Sequence, residues 1–239
     1  MKINRLLMTA IFSFVGVLAV AQSWMMQPQG PVNEFSAMEG TSVLNYNFQV
    51  ERNIHSRAGN GPVFYIFPDC KLDNNQALEL AGNLDLVNII KEYGGRIMVV
   101  NPSSDKWQEQ DLEDFRRLIG MGSSPTNVKV IGIGSGATFV NRQLVATELA
   151  GVIAGIVSID GEPGKICRLP VPAFIGGKNA AKVAKPYQTT SDSAPADPLQ
   201  KVVVNTDKKA SLETLFAEAW DKVLSANYRY NNLYRTFYT

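Results

Sequence analysis

Histidine is almost missing from this chain: His55 is the single one in 239 residues, and cysteine is limited to Cys70 and Cys167. One histidine and two distant cysteines offer no ligand spacing for a zinc or iron centre, so neither a metal nor any other cofactor is expected. At most one disulfide can form. A bridge and two separately buried thiols are equally compatible with the sequence, because closure needs Cα atoms within roughly 7 Å. Excess charge of one sign is missing as well. The 23 Lys and Arg nearly cancel the 22 Asp and Glu, and no block of like charge occurs. The chain therefore lacks the electrostatic footprint of a nucleic-acid binder. No internal repeat is present.

The amino-terminal residues do carry a pattern. Lys2 and Arg5 precede an apolar run from Leu6 to Val20, and Ala19-Val20-Ala21 stands before Gln22. This is the layout of a signal peptide, with a run too short for a spanning helix; an uncleaved anchor is the alternative. Arg5 has no second arginine beside it, so the twin-arginine route is not indicated. The expectation is that residues 1–21 are removed, and that residues 22–239 form one domain, secreted or periplasmic and not inserted in a membrane. Export would permit a disulfide.

Along the rest of the chain, short apolar runs alternate with helical periodicity. Thr41 to Val50 reads as an early edge strand. Pro62 to Phe67, Ile97 to Val100, Val128 to Gly134, Ile153 to Ile159, Val171 to Ile175 and Val202 to Val204 read as strands of a buried sheet. Between them, Asn74 to Tyr93 is expected to be one helix capped by Asp73 and ended by Gly94-Gly95, with a second after Trp107. Others are expected from Ser135 to Ala150 and from Ser211 onward. Thr189 to Pro198, rich in Ser, Thr and Pro, reads as a surface loop. The implied architecture is α/β, with a mainly parallel, doubly covered sheet.

The chemistry concentrates where Val128 to Gly134 runs into Gly134-Ser135-Gly136-Ala137 and a helix opens at once. In a nucleophile elbow a serine sits on such a strand-to-helix bend, with small residues two positions either side. Ser135 fits that role, and the Gly136 amide would donate to an oxyanion. Ala137 meets the size requirement, whereas Ile133 stands where glycine is usual. The rival is a dinucleotide fingerprint, since Gly132-x-Gly134-x-x-Ala137 also follows a strand and Asp160 ends the next one. Two strand-helix units precede the turn, however, and the fingerprint usually opens its fold. A third alternative is a merely structural glycine turn.

Phe64 to Cys70, Asn101-Pro102 with Trp107 and Asp111, Gly132 to Ala137, Ser158-Ile159-Asp160-Gly161 and Pro170-Val171-Pro172 follow one another in a set order and spacing. Through them the chain from Pro62 to about Pro186 resembles the polyhydroxybutyrate depolymerase and feruloyl esterase branch of the α/β-hydrolases. The resemblance implies Ser135 as nucleophile, with an oxyanion hole made by the Gly136 amide and one near Asp69 and Cys70. It also implies an acid after a late strand and a histidine beyond it. Asn179 stands near the expected acid, with Asp160 and Asp192 as substitutes. An aspartate in either place is more often a cap or turn residue.

No histidine follows Ser135. His55 precedes the strand at Pro62, which puts it roughly 15 to 20 Å away, at the wrong edge of the sheet. Three explanations stay open: the chain stops short of a final unit bearing the histidine, the fold and cleft persist without a triad, or Lys178 serves as the base. The functional expectation is a secreted serine ester hydrolase of the carbohydrate or polyester type. The alternatives are a non-catalytic binding domain on the same scaffold and a dinucleotide binder.

Overall fold

The computed structural model describes residues 34–38, 41–48, 62–121, 127–193 and 201–225. The expectations for the signal peptide, His55 and the residues after Ser225 lie outside them.

Eight strands form one sheet: β1 Glu34–Met38, β2 Thr41–Phe48, β3 Val63–Phe67, β4 Gly95–Val100, β5 Val128–Ile133, β6 Ile153–Ile159, β7 Ala173–Gly176 and β8 Val202–Asn205. Their order across the sheet is β1-β2-β4-β3-β5-β6-β7-β8. The first two pairings, β1 with β2 and β2 with β4, are antiparallel; every later one is parallel. β2 is therefore not the edge strand its sequence suggested, because β1 pairs along its outer side.

The helices are α1 Asn74–Asn83, α2 Leu86–Tyr93, α3 Glu109–Met121, α4 Ser135–Phe139, α5 Ala180–Asp192 and α6 Leu212–Ala219. A π-helical turn, Val140–Leu144, continues α4, and another, Trp220–Leu224, continues α6. Alternate residues of β3 serve opposite layers of core. Phe64 and Ile66 pack with residues of α1, α2 and α6, while Tyr65 and Phe67 pack with those of α3, α4 and α5. Helices change face when the strand order changes direction, as a constant crossover hand requires. That reversal leaves a crevice between the carboxyl ends of β3 and β5, where open α/β sheets place their ligands.

Three helices differ from expectation. The stretch 74–93 is two helices, broken where Asp85 adopts a left-handed φ of 53°. The helix from Ser135 ends its regular turns at Leu144, and a separate 3-10 turn, Glu148–Val152, leads into β6. α5 was not foreseen, and it takes in residues 189–192, the start of the stretch that read as loop; Pro186 lies inside it.

Candidate functional site at the turn after β5

β5 is buried along nearly its whole length, and its last residue, Ile133, pairs with Ile159 of β6. The next residue, Gly134, turns the chain into α4 with φ 56° and ψ −117°. Residues with a Cβ avoid this conformation, which stores strain at functional turns. The approach of neighbouring chain explains the flanking glycines. A Cβ at 132 would lie 2.6 Å from Ala137 Cα, and one at 136 would lie 2.5 Å from the Phe67 carbonyl carbon. The strained residue, with glycines two positions to each side, is thus 134 and not 135.

Asp69, in the loop after β3, fills the space beside this turn. A Cβ at position 134 would fall 2.5 Å from Asp69 Cγ and still closer to Oδ1. The Ser135 amide donates to Asp69 Oδ1 at 2.6 Å, and the Ser135 hydroxyl donates to the Asp69 carbonyl. Ser135 is exposed at the carboxyl edge of the sheet, as its sequence context implied. It borders a cleft of about 530 Å³ whose walls include Asp69, Trp107, Phe139, Arg142 and Gln143. The Trp107 ring stacks on Phe139 with centroids 4.8 Å apart, and its Nε1 donates to the Pro68 carbonyl at 3.0 Å.

The other anticipated residues are engaged elsewhere. Asp160 has a left-handed φ of 55°, and its carboxylate accepts the Lys178 amide at 2.9 Å, tying the loop after β6 to the loop after β7. Asn179 donates through Nδ2 to Glu162 Oε1 at 3.0 Å. Among the described residues no hydrogen bond joins Ser135 to Asp160, Asn179 or Lys178. Asp192 closes α5. Gly136 is buried against the chain at Phe67 and Pro68, and Cys70 is exposed. Cys70 and Cys167 are free thiols and not a bridge. Burial pushes the Cys167 thiol up to about 12, although it donates to the Leu169 carbonyl at 3.1 Å.

Two features were missed from sequence. One is the Asp69 side chain, 66 positions from its partner. The other is a buried polar network under α4. Asn141 Nδ2 donates to Ser158 Oγ and to the Glu162 carbonyl, each at 3.0 Å, and Asn141 Oδ1 accepts the Tyr187 hydroxyl at 2.8 Å. A usable signal for the strained turn did exist, because Gly132-x-Gly134-x-Gly136 centres the small residues on 134.

No protein-family model matches this chain, and no curated protein matches it. Solved structures do. MGS-M1, an α/β hydrolase enzyme from a Medee basin deep-sea metagenome library, superposes with a TM-score of 0.51 at 15% identity, over 87% of this chain and 94% of that one. A carboxylesterase from Mesorhizobium loti matches with a TM-score of 0.50 at 7% identity, over 79% and 97%. At such identities the likeness is one of architecture, and it agrees with the strand order and the sharp turn after β5: the chain has the α/β-hydrolase fold.

Proposed function

We propose that this chain is an exported ligand-binding domain that keeps the α/β-hydrolase cleft without forming an acyl-enzyme in it. The carrying observation is that the strained residue of the turn is Gly134, which has no side chain to act as nucleophile. In an elbow the nucleophile occupies the strained position and the residue after it lends its amide to the oxyanion. By that correspondence Ser135 is the amide donor, and its amide is already held by Asp69. The sequence adds support, since Asn179 stands near the place where a carboxylate would orient a histidine.

The second reading is ester hydrolysis through Ser135, of the carbohydrate or polyester type. It is favoured by the exposure of that hydroxyl in the cleft and by fold neighbours described as a hydrolase and a carboxylesterase. A fluorophosphonate probe on the full-length exported protein separates the two, with Ser135→Ala as the control. The binding-domain reading expects no label on either and no hydrolysis of p-nitrophenyl acetate above the control. Labelling that disappears in Ser135→Ala overturns it in favour of the esterase.

A further inference from the structure

The elbow end of the cleft has the opposite polarity to an acyl-transfer site. Such a site aims donors at the place where negative charge develops. Here the donor following the strained residue, the Ser135 amide, is capped by the Asp69 carboxylate at 2.6 Å. The Asp69 peptide turns its carbonyl toward Ser135 and accepts the hydroxyl there. The Pro68 carbonyl is also turned inward and takes Trp107 Nε1. What remains for a ligand at this end is therefore a carboxylate, held by the Ser135 amide, on a residue whose backbone carbonyl is tied to the Ser135 hydroxyl.

Beside it stands an aromatic wall. Trp107 is half-buried, stacked on Phe139 and anchored through its indole N–H, so its orientation is set before any ligand arrives. The ionisable side chains of the lining are Asp69, Asp105 and Glu109 against Lys106 and Arg142. Arg142 already donates through Nε to the Pro163 carbonyl at 3.3 Å. Aromatic faces attract cations, and a pre-held carboxylate next to one favours a ligand that joins a positive charge to a flat apolar body.

Building on the binding-domain reading, we infer that this cleft takes an organic cation of the arylalkylammonium kind. Its ammonium pairs with Asp69 and its ring lies along Trp107 and Phe139. An acyl carboxylate, the product an esterase of this fold would hold, is repelled at the same place.

Titration calorimetry on the full-length protein with benzylammonium, benzyl alcohol and benzoate tests this. Benzylammonium should bind saturably, benzyl alcohol roughly tenfold or more weakly, and benzoate not at all. Asp69→Asn keeps an oxygen that can accept the Ser135 amide while removing the charge, and it should bring benzylammonium down to the level of benzyl alcohol. Trp107→Leu should weaken both ligands together. Benzoate binding as tightly as benzylammonium, selectivity that survives Asp69→Asn, or no heat from any probe at millimolar concentration would each overturn the inference. Ser135-dependent labelling by the fluorophosphonate would instead remove the binding-domain reading. A preference for benzoate without labelling removes only the cation.

Discussion

A single backbone conformation at residue 134 organises the site. Placing a Cβ at φ 56°, ψ −117° is strained in itself, and Asp69 occupies the volume that the Cβ would need. Gly134→Ala should therefore lose about 2 to 3 kcal/mol of stability by urea denaturation, the upper part of the range that backbone strain alone costs. In an Asp69→Ala background the same substitution should cost about 1 kcal/mol less, because the two nearest atoms it collides with, Asp69 Cγ and Oδ1, are gone and only the Cβ contact remains. Strict additivity in that double-mutant cycle would mean that the two residues do not meet. Much of this site was legible in sequence: the turn, its carboxyl-edge location and the exposure of Ser135. The register was not, by one residue. Where β5 ends is decided by its pairing with β6, including the Gly134 amide donating to the Ile159 carbonyl at 2.9 Å, and no local pattern encodes that. The resemblance put Asp69 near Ser135 as an amide donor, but its carboxylate and carbonyl as acceptors from Ser135 were illegible, because they depend on how the loop after β3 meets the turn after β5.

At the scale of elements, local chemistry was readable where it is self-contained. Asp73 forms a reciprocal capping box with Gln76: its carboxylate accepts the Gln76 amide at 2.9 Å, and Gln76 Oε1 accepts the Asp73 amide at 2.9 Å. Removing such a cap typically costs about 1 kcal/mol, so Asp73→Ala should lower the stability of the protein by that amount. The loss should show as a shift in urea midpoint with an unchanged slope; an unchanged midpoint would mean that the first turn of α1 is held by packing alone. The ends and breaks were harder. The apolar spacing of 74–93 runs on through Leu84 and Ile90, both buried in one layer, although Asp85 interrupts the helix between them. Periodicity records which face is buried and is blind to one left-handed residue, which aspartate tolerates better than most. α5 was hidden for the opposite reason. Pro186 and the Ser/Thr-rich end argue for a loop, yet burial of Ala180, Val183, Ala184 and Tyr187 against the sheet outweighs them.

For the molecule as a whole, the alternation of strand and helix announced a parallel sheet with two cores, while the strand order and the outermost β1 follow from pairings that sequence does not expose. One of those cores carries an electrostatic consequence. Tyr65, Cys167 and Tyr187 all belong to the layer beneath α3, α4 and α5. Burial raises each of them: Tyr65 above 10.0 despite the opposing pull of Arg96, Cys167 from 9.0 to about 12, and Tyr187 well above 10.0 with a further push from Cys167. An acid raised in this way stays protonated in the folded protein at a pH where the unfolded chain has already released its proton. The unfolded state then binds fewer protons, so stability falls as pH rises. The contribution is intact below the unfolded value and is lost between that value and the folded one. Cys167 gives way from pH 9.0 toward about 12, and the tyrosines from 10.0 upward. The urea midpoint should consequently begin to drop above pH 9. In Cys167→Ala, whose baseline is lowered by the lost packing, the onset of that drop should move to about pH 10, where tyrosines start to ionise. A midpoint that is level through pH 11 in the wild type, or an onset unmoved by Cys167→Ala, would show that this layer admits water and that its protons are not locked in by packing.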